Sequence, residues 1–179
     1  MQNKTDQKIP YRAIHKDTDP CLVSSHPDYS NALLFGLPKY QLDCLQKVQN
    51  AAARVIFQIA KFDHITPALI ALQWLLVTFR VQFNLLLFVY KSLHNQSPSC
   101  IKGLWSLKPA VNYALLSFGK SLLFFPKVNY STLADRAFAH ASPVLWNSLP
   151  LTIKTSSNLG ILKKQLKTFL FKKSFNLLQ

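Results

Sequence analysis

The residues whose chemistry could support catalysis are few and widely separated in this chain. Cys44 and the adjacent pair Asp63-His64 supply a thiol, a carboxylate and an imidazole, the side-chain types of a nucleophilic triad. Nothing near them in the sequence provides an oxyanion hole, and Cys44 falls between apolar positions of a predicted helix. Local capping and packing is therefore the favoured interpretation of all three, and we predict no catalytic residue.

The acidic residues and the cysteines argue against carboxylate and metal chemistry. The 7 acidic residues are all aspartates, and no two of them are adjacent. The 3 cysteines lie far apart, and no pair of them has the spacing of metal ligands. We therefore predict no metal site and no cofactor.

Positive charge is the feature that points to a binding function. The 179 residues include 21 Lys or Arg against 7 acids, which gives a formal net charge of +14. A surplus of this size favours polyanionic partners, either nucleic acid or an acidic membrane surface. The imbalance is strongest towards the C-terminus, because no acid follows Asp135.

The clearest predicted helix, residues 40–61, combines an apolar stripe with a basic, amide-rich face. The stripe consists of residues at or beside spacings of three and four, as in an amphipathic helix: Leu42, Leu45, Val48, Ala52, Val55, Ile56 and Ile59. Five polar residues on the other side fall within about 80° of one another. These candidate nucleic-acid-binding residues are Lys47, Asn50, Arg54, Gln58 and Lys61.

A second basic surface is predicted on the last helix, residues 158–178. Its apolar side is formed by Leu162, Leu166, Phe169 and Leu170. The lysines between them add three candidates for nucleic-acid binding, Lys163, Lys164 and Lys167. For both helices the alternative is an ordinary solvated face that binds no partner.

The remaining patterns predict a mainly α fold. Short helices are expected near residues 28–36 and at 66–73, with Thr66 as the N-cap of the second, and a buried helix is expected at 75–94. A further helix at 133–146 is expected to be kinked at Pro143. Two apolar runs on either side of residues 119–121 predict a β-hairpin. The expected architecture is a small helical bundle with a short hairpin and a C-terminal amphipathic helix.

Composition divides the chain into three parts. These are a flexible leader at residues 1–21, a helical region at 22–108, and a C-terminal region at 109–179 with the hairpin and the basic helix. The leader is polar and lacks the apolar segment of a secretion signal, so we expect an intracellular protein of the cytoplasm or nucleus. Trp74, Trp105 and Trp146 lie among aliphatic residues, which favours a place in the core over base stacking.

A membrane-spanning alternative arises from residues 69–89, which contain a single charged residue, Arg80. The length of this segment would cross a bilayer. An arginine near the bilayer centre costs about 2.5–3.5 kcal/mol on insertion scales, and four further polar residues interrupt the segment. A buried helix of a bundle is favoured, and a membrane is an unfavoured partner.

Four blocks of the chain resemble, in order, the C-terminal part of the reverse transcriptases of LINE-type (non-LTR) retrotransposons, of the Jockey-like and chicken-repeat-like clades. They are DYSNALLFGLPKYQLDCLQKVQNAAARVI (28–56), DHITPALIALQWLLVTFRVQFNLLLFVYKSL (63–93), DRAFAHASPVLWNSLP (135–150) and LGILKKQLKTFLF (159–171). They extend over most of the chain, and four ordered blocks are more specific than any single motif.

The resemblance implies a thumb and the segment that follows it, without the catalytic palm. In the family, palm aspartates that include a Tyr-x-Asp-Asp hairpin hold two Mg²⁺ ions, and this chain has no such tetrapeptide. The implied protein is a fragment of an RNA-directed DNA polymerase that is inactive alone. Its implied partners are RNA or DNA, bound without sequence preference along a thumb helix, and the parent palm domain if one is encoded upstream.

The chain departs from the family pattern at several positions. Pro27 stands where a helix-compatible residue is usual, Leu76 replaces a turn proline, and Gly160 replaces an acid near the start of the last helix. Losing acids and turn prolines together is typical of drift in an unselected copy. A non-functional transposon relic and a membrane-associated helical protein therefore stay open beside nucleic-acid binding.

Overall fold

The computed structural model of the chain describes residues 31–102, 122–124 and 138–176. These residues form seven α-helices and one 3-10 turn, and they include no β-strand. The mainly α fold expected from the hydrophobic periodicity is confirmed. The leader at residues 1–21, Trp105 and most of the predicted hairpin lie outside the described residues.

The helices of the N-terminal half begin with a 3-10 turn at Asn31–Leu34. The α-helices that follow are α1 (Lys39–Phe57), α2 (Thr66–Ala71), α3 (Val77–Leu93) and α4 (Ser99–Lys102). Helices α2 and α3 occupy the segments predicted for them. Ile65, and not Thr66, is the N-cap of α2, which places Pro67 in the first turn, where a missing N–H is tolerated.

Helix α1 ends earlier than its apolar periodicity predicts. Gln58 adopts a left-handed conformation with φ 53° and ψ 39°, and its backbone N–H donates to the carbonyl oxygen of Val55 at 3.4 Å. The N–H of Ile59 donates to the carbonyl oxygen of Arg54 at 3.0 Å. These bonds satisfy carbonyl groups of the last turn, so the helix ends although the apolar pattern continues to Ile59.

The C-terminal half contributes α5 (Phe138–Asn147), α6 (Leu151–Lys154) and α7 (Leu159–Ser174). Pro143 lies inside α5, as predicted. Asn158 caps α7 by accepting the N–H of Gly160 at 2.9 Å with its side-chain oxygen. Helix α7 ends at Ser174, before the predicted residue 178, and Asn176 just beyond it has φ 53°.

The main core surrounds α3, which packs against α7, α5 and the 3-10 turn. From α7 it receives Leu162, Leu166 and Leu170, with Phe169 half-buried beside them, which confirms the predicted apolar side of this helix. From α5 it receives Trp146, whose burial in the core was expected. The core therefore joins residues of the N-terminal and C-terminal regions of the chain.

A smaller cluster lies between α1, α2 and the segment that leads to α3. Ala53, Ile56, Leu69 and Trp74 are buried in it, and Phe175 packs against it from the end of α7. The burial of Trp74 agrees with its predicted place in the core. The contact of Phe175 brings the C-terminal end of α7 beside α1 and α2.

None of the helices in the described ranges is at once long enough and apolar enough to cross a bilayer.

Candidate nucleic-acid interface

Helix α1 contains a network of side-chain amides that faces the rest of the protein. The Nε2 of buried Gln49 donates to the carbonyl oxygen of Leu75 at 2.9 Å. The Oε1 of Gln46 accepts the backbone N–H of Val77 at 2.9 Å, which satisfies a donor in the first turn of α3. The Nε2 of Gln46 donates to Gln49 at 3.0 Å and to the Oδ1 of Asn50 at 2.9 Å. The network therefore attaches the segment between α2 and α3 to α1.

This network changes which side of α1 faces the core. Gln49, Ala53 and Ile56 are buried, whereas Val48 and Val55, predicted to face the core, are 59% and 65% exposed. At 100° per residue, the centre of the buried side is turned by about 60° from the centre of the predicted apolar stripe. The prediction that Val48 and Val55 face inwards is wrong, because paired amides replace apolar side chains at the contact.

The five residues predicted to form one basic helical face are divided between the helix and the chain after it. Lys47, Asn50 and Arg54 lie on α1, whereas Gln58 is the left-handed residue that ends it and Lys61 lies in the following turn. Lys47 and Lys61 are exposed, and Asn50 is half-buried in the amide network. The prediction of a continuous face on a helix of residues 40–61 is wrong, because the helix stops at Phe57.

Arg54 is the cation of α1 that the fold itself uses. Its Nε donates to the carbonyl oxygen of Ala60 at 3.4 Å, and its Nη2 donates to the carbonyl oxygen of Asp63 at 3.0 Å. The guanidinium therefore organises the turn after α1, and less of it is available to a phosphate.

The three lysines predicted on the last helix share one exposed face of α7. Lys163 and Lys167 are four residues apart and Lys164 and Lys167 are three apart, which makes their side chains neighbours on the helix surface. All three are exposed, and none of their side chains forms a hydrogen bond or ion pair with another described residue. We call Lys163, Lys164 and Lys167 the α7 lysine face.

No described carboxylate lies in the part of the chain that forms α5, α6 and α7. The acidic residues of the described ranges are Asp43, on α1, and Asp63, in the turn after it. Within those ranges, the positive potential of the α7 lysine face is therefore not offset by an acid on the same helix or on α5 and α6.

Lys154 has a different role from the other C-terminal lysines. It is buried, and its Nζ donates to the carbonyl oxygen of Asn147 at 3.0 Å. The side chain of Asn147 in turn accepts the N–H of Leu123 at 2.9 Å and donates to its carbonyl oxygen at 3.0 Å. This lysine therefore helps to hold the residue 122–124 segment, and it lies outside the candidate interface.

The residues that resembled parts of a nucleophilic triad are on the surface. Cys44 is exposed and its thiol donates to the carbonyl oxygen of Tyr40 at 3.3 Å, a contact within one turn of α1. Asp63 and His64 are exposed in the turn after α1. Among the described residues, no three His, Cys, Asp or Glu side chains come together as a metal-binding group.

A cleft of about 360 Å³ opens between α1, α2 and the end of α7. Its polar lining includes Asn50, Thr66, Ser174 and Asn176, and Phe175 lies on its apolar side. Sequence patterns did not predict it, because it forms only where α1, α2 and the end of α7 meet in the folded protein. Of the predicted site residues, the cleft includes Asn50 alone.

No family model matches the chain, and searches of curated proteins and of solved structures find no match.

Proposed function

We propose that this chain binds the phosphate backbone of RNA or DNA without sequence preference, through the α7 lysine face. The observation that carries this proposal is the group of three neighbouring, exposed lysines whose side chains have no bonding partner among the described residues. A nucleic-acid backbone offers closely spaced negative charges, and lysine ammonium groups bind phosphates as compact point charges. Such contacts position a protein on nucleic acid without reading its sequence.

The origin of the chain is part of the same proposal. Its four ordered blocks resemble the thumb and C-terminal segment of non-LTR retrotransposon reverse transcriptases, and we propose that it derives from such an enzyme without the catalytic palm. It would then lack polymerase activity by itself, and Mg²⁺ would belong to the palm. A palm encoded upstream would be its natural protein partner.

Helix α1 has a smaller part in this proposal than the sequence pattern predicts. Lys47 and Lys61 are exposed and can extend the basic surface, but they do not lie on one helix. Arg54 is engaged with two backbone carbonyl groups. We therefore assign the principal phosphate contacts to α7.

Fluorescence anisotropy with a labelled oligonucleotide, measured over a range of salt concentrations, tests the proposal. Each phosphate neutralised contributes about −0.9 to the slope of log K against log salt on duplex DNA, and about −0.7 on single strands. Changing Lys163, Lys164 and Lys167 together to Ala should flatten the slope by about 2 to 3 units.

The matched control changes the same three lysines to Arg, which keeps the charges and should keep the slope. A lysine-to-alanine variant that retains the wild-type slope would remove α7 from the interface. Oligonucleotides of different sequence should give the same affinity, and a strong sequence preference would contradict backbone binding.

A further inference from the structure

The cleft between α1, α2 and the end of α7 offers both donors and acceptors of hydrogen bonds. The Oδ1 of Asn50 accepts from Gln46, which leaves its NH₂ group to donate into other contacts. Thr66 and Asn176 are exposed, and their side chains form no hydrogen bond with another described residue. Ser174 donates to the carbonyl oxygen of Phe171 at 2.8 Å, so its lone pairs can still accept.

The other side of the cleft is apolar and partly aromatic. Leu69 is buried beneath it, and Phe175 packs against the same cluster while it lines the cleft. The rings of Phe171 and Phe175 lie 4.9 Å apart at an interplanar angle of 60°. Among the described residues, no charged side chain lines the cleft. A flat, uncharged group with donors and acceptors along its edge fits this lining, and a nucleobase has this chemistry.

The α7 lysine face leads along the helix to this cleft. Lys163, Lys167, Phe171 and Ser174 follow one another at spacings of four, four and three residues, within about 80° around the helix. At a rise of 1.5 Å per residue, Ser174 lies about 10 Å along the axis from Lys167. A positively charged surface that holds the backbone, combined with aromatic side chains on which bases stack, is the arrangement used to bind single strands.

We propose that the cleft receives one unpaired nucleobase of a strand whose phosphates lie on the α7 lysine face. The inference rests on the proposed function and adds to it a preference for unpaired over paired strands. A base in a duplex is paired and stacked, so it reaches a recess only after it leaves the helix. The chain should therefore bind single strands more tightly than duplexes of the same length.

An abasic competitor separates the base from the backbone. Wild-type protein is titrated with a labelled oligothymidylate and with a strand of equal length whose internal nucleotides lack bases. One base held by stacking and hydrogen bonds should give the intact strand a roughly 5- to 150-fold advantage, from typical base–aromatic stacking. The Thr66→Val/Asn176→Gly variant should lose a large part of this advantage.

Both substitutions are chosen to spare the fold. Thr66 and Asn176 are exposed, Val preserves the shape of Thr, and Gly accepts the φ of 53° at Asn176 without strain. The variant should bind the abasic strand as the wild type does, which shows that the protein is folded and its lysines are in place.

The outcomes separate the two proposals. If intact and abasic strands bind wild type equally, the cleft does not take a base, whereas backbone binding through α7 stands. If the advantage of the intact strand persists in the variant, the base is held elsewhere and the inference is overturned. If neither strand binds, both proposals fail.

Discussion

Helices α1 and α7 are both amphipathic and rich in polar residues, but the fold uses those residues in opposite ways. On α1, Gln46, Gln49 and Arg54 reach other parts of the chain and hold them. On α7, leucines are buried in the core with Phe169 and Phe171 packed half-buried against it, and the lysines are exposed to water. The charge of α7 is therefore available to a partner, whereas much of the polarity of α1 is consumed by folding.

The chemistry of the side chains explains this difference. An amide both donates and accepts, so Gln46 and Gln49 can satisfy each other and the backbone when they are buried. A lysine ammonium group can only donate and is strongly hydrated, so it is buried only where an acceptor is present. The carbonyl oxygen of Asn147 is this acceptor for Lys154. The number of basic and amide residues in α1 therefore overstates how much of its surface is available to a partner.

The largest expected effect concerns the apolar anchor of α7. Leu166→Ala removes a fully buried side chain and should lower the free energy of unfolding by about 2–5 kcal/mol. Val48→Ala, on the exposed side of α1, should change it by no more than about 0.5 kcal/mol. Chemical denaturation followed by circular dichroism measures both. A large loss of stability in Val48→Ala would mean that Val48 is buried against another part of the protein.

The amide anchor of α1 should be nearly as sensitive. Gln49→Ala leaves the carbonyl oxygen of Leu75 without its donor and should destabilise the protein by about 1–3 kcal/mol. Gln41→Ala, at an exposed position of the same helix, is the control and should be close to neutral. Equal effects of the two substitutions would show that the network adds no stability.

A smaller effect is expected where α1 ends. Arg54→Lys keeps the charge but cannot reproduce two hydrogen bonds from a planar guanidinium, and a loss of about 1 kcal/mol is expected. Lys47→Arg is the matched exchange at an exposed position and should leave the denaturation midpoint unchanged. If Arg54→Lys is as neutral as that control, Arg54 is a free surface cation, and the contrast with α7 disappears.

The smallest expected effect is a gain of stability in α7. Gly160 lies in the first turn, and a Cβ there would have as its nearest neighbour the side-chain oxygen of Asn158, at an ordinary distance of 3.8 Å. Gly160→Ala should therefore stabilise the protein by about 0.4–1 kcal/mol, by reducing the freedom of the unfolded chain. A lower melting temperature in this variant would contradict the described start of the helix.

The sequence predicts the elements whose burial depends on apolar side chains. The span of α3, the buried leucines of α7 and the burial of Trp74 and Trp146 follow from periodicity and composition. The end of α1 does not follow from them, because the left-handed residue that ends the helix is Gln58, whereas glycine is the usual residue at this position.

The orientation of α1 and the cleft could not be predicted for another reason. The hydrogen bond from Gln49 to Leu75 joins residues 26 positions apart in the chain. Hydrophobic patterns carry no information about polar contacts of this kind. The cleft depends on Phe175 reaching α1 and α2 from the far end of the sequence. The lysines of α7 were recognisable as candidates, but only the fold distinguishes them from the engaged Arg54.

The most direct measurement compares the salt dependence of nucleic-acid binding for two variants on the same labelled oligonucleotide. Lys163/Lys164/Lys167→Ala removes the α7 lysine face, and Lys47/Lys61→Ala removes one exposed cation of α1 and one of the turn after it. We expect the α7 variant to flatten the slope of log K against log salt by about 2 to 3 units, and the α1 variant by less than about 1. A slope that depends on Lys47 and Lys61 and ignores the α7 lysine face would contradict this expectation.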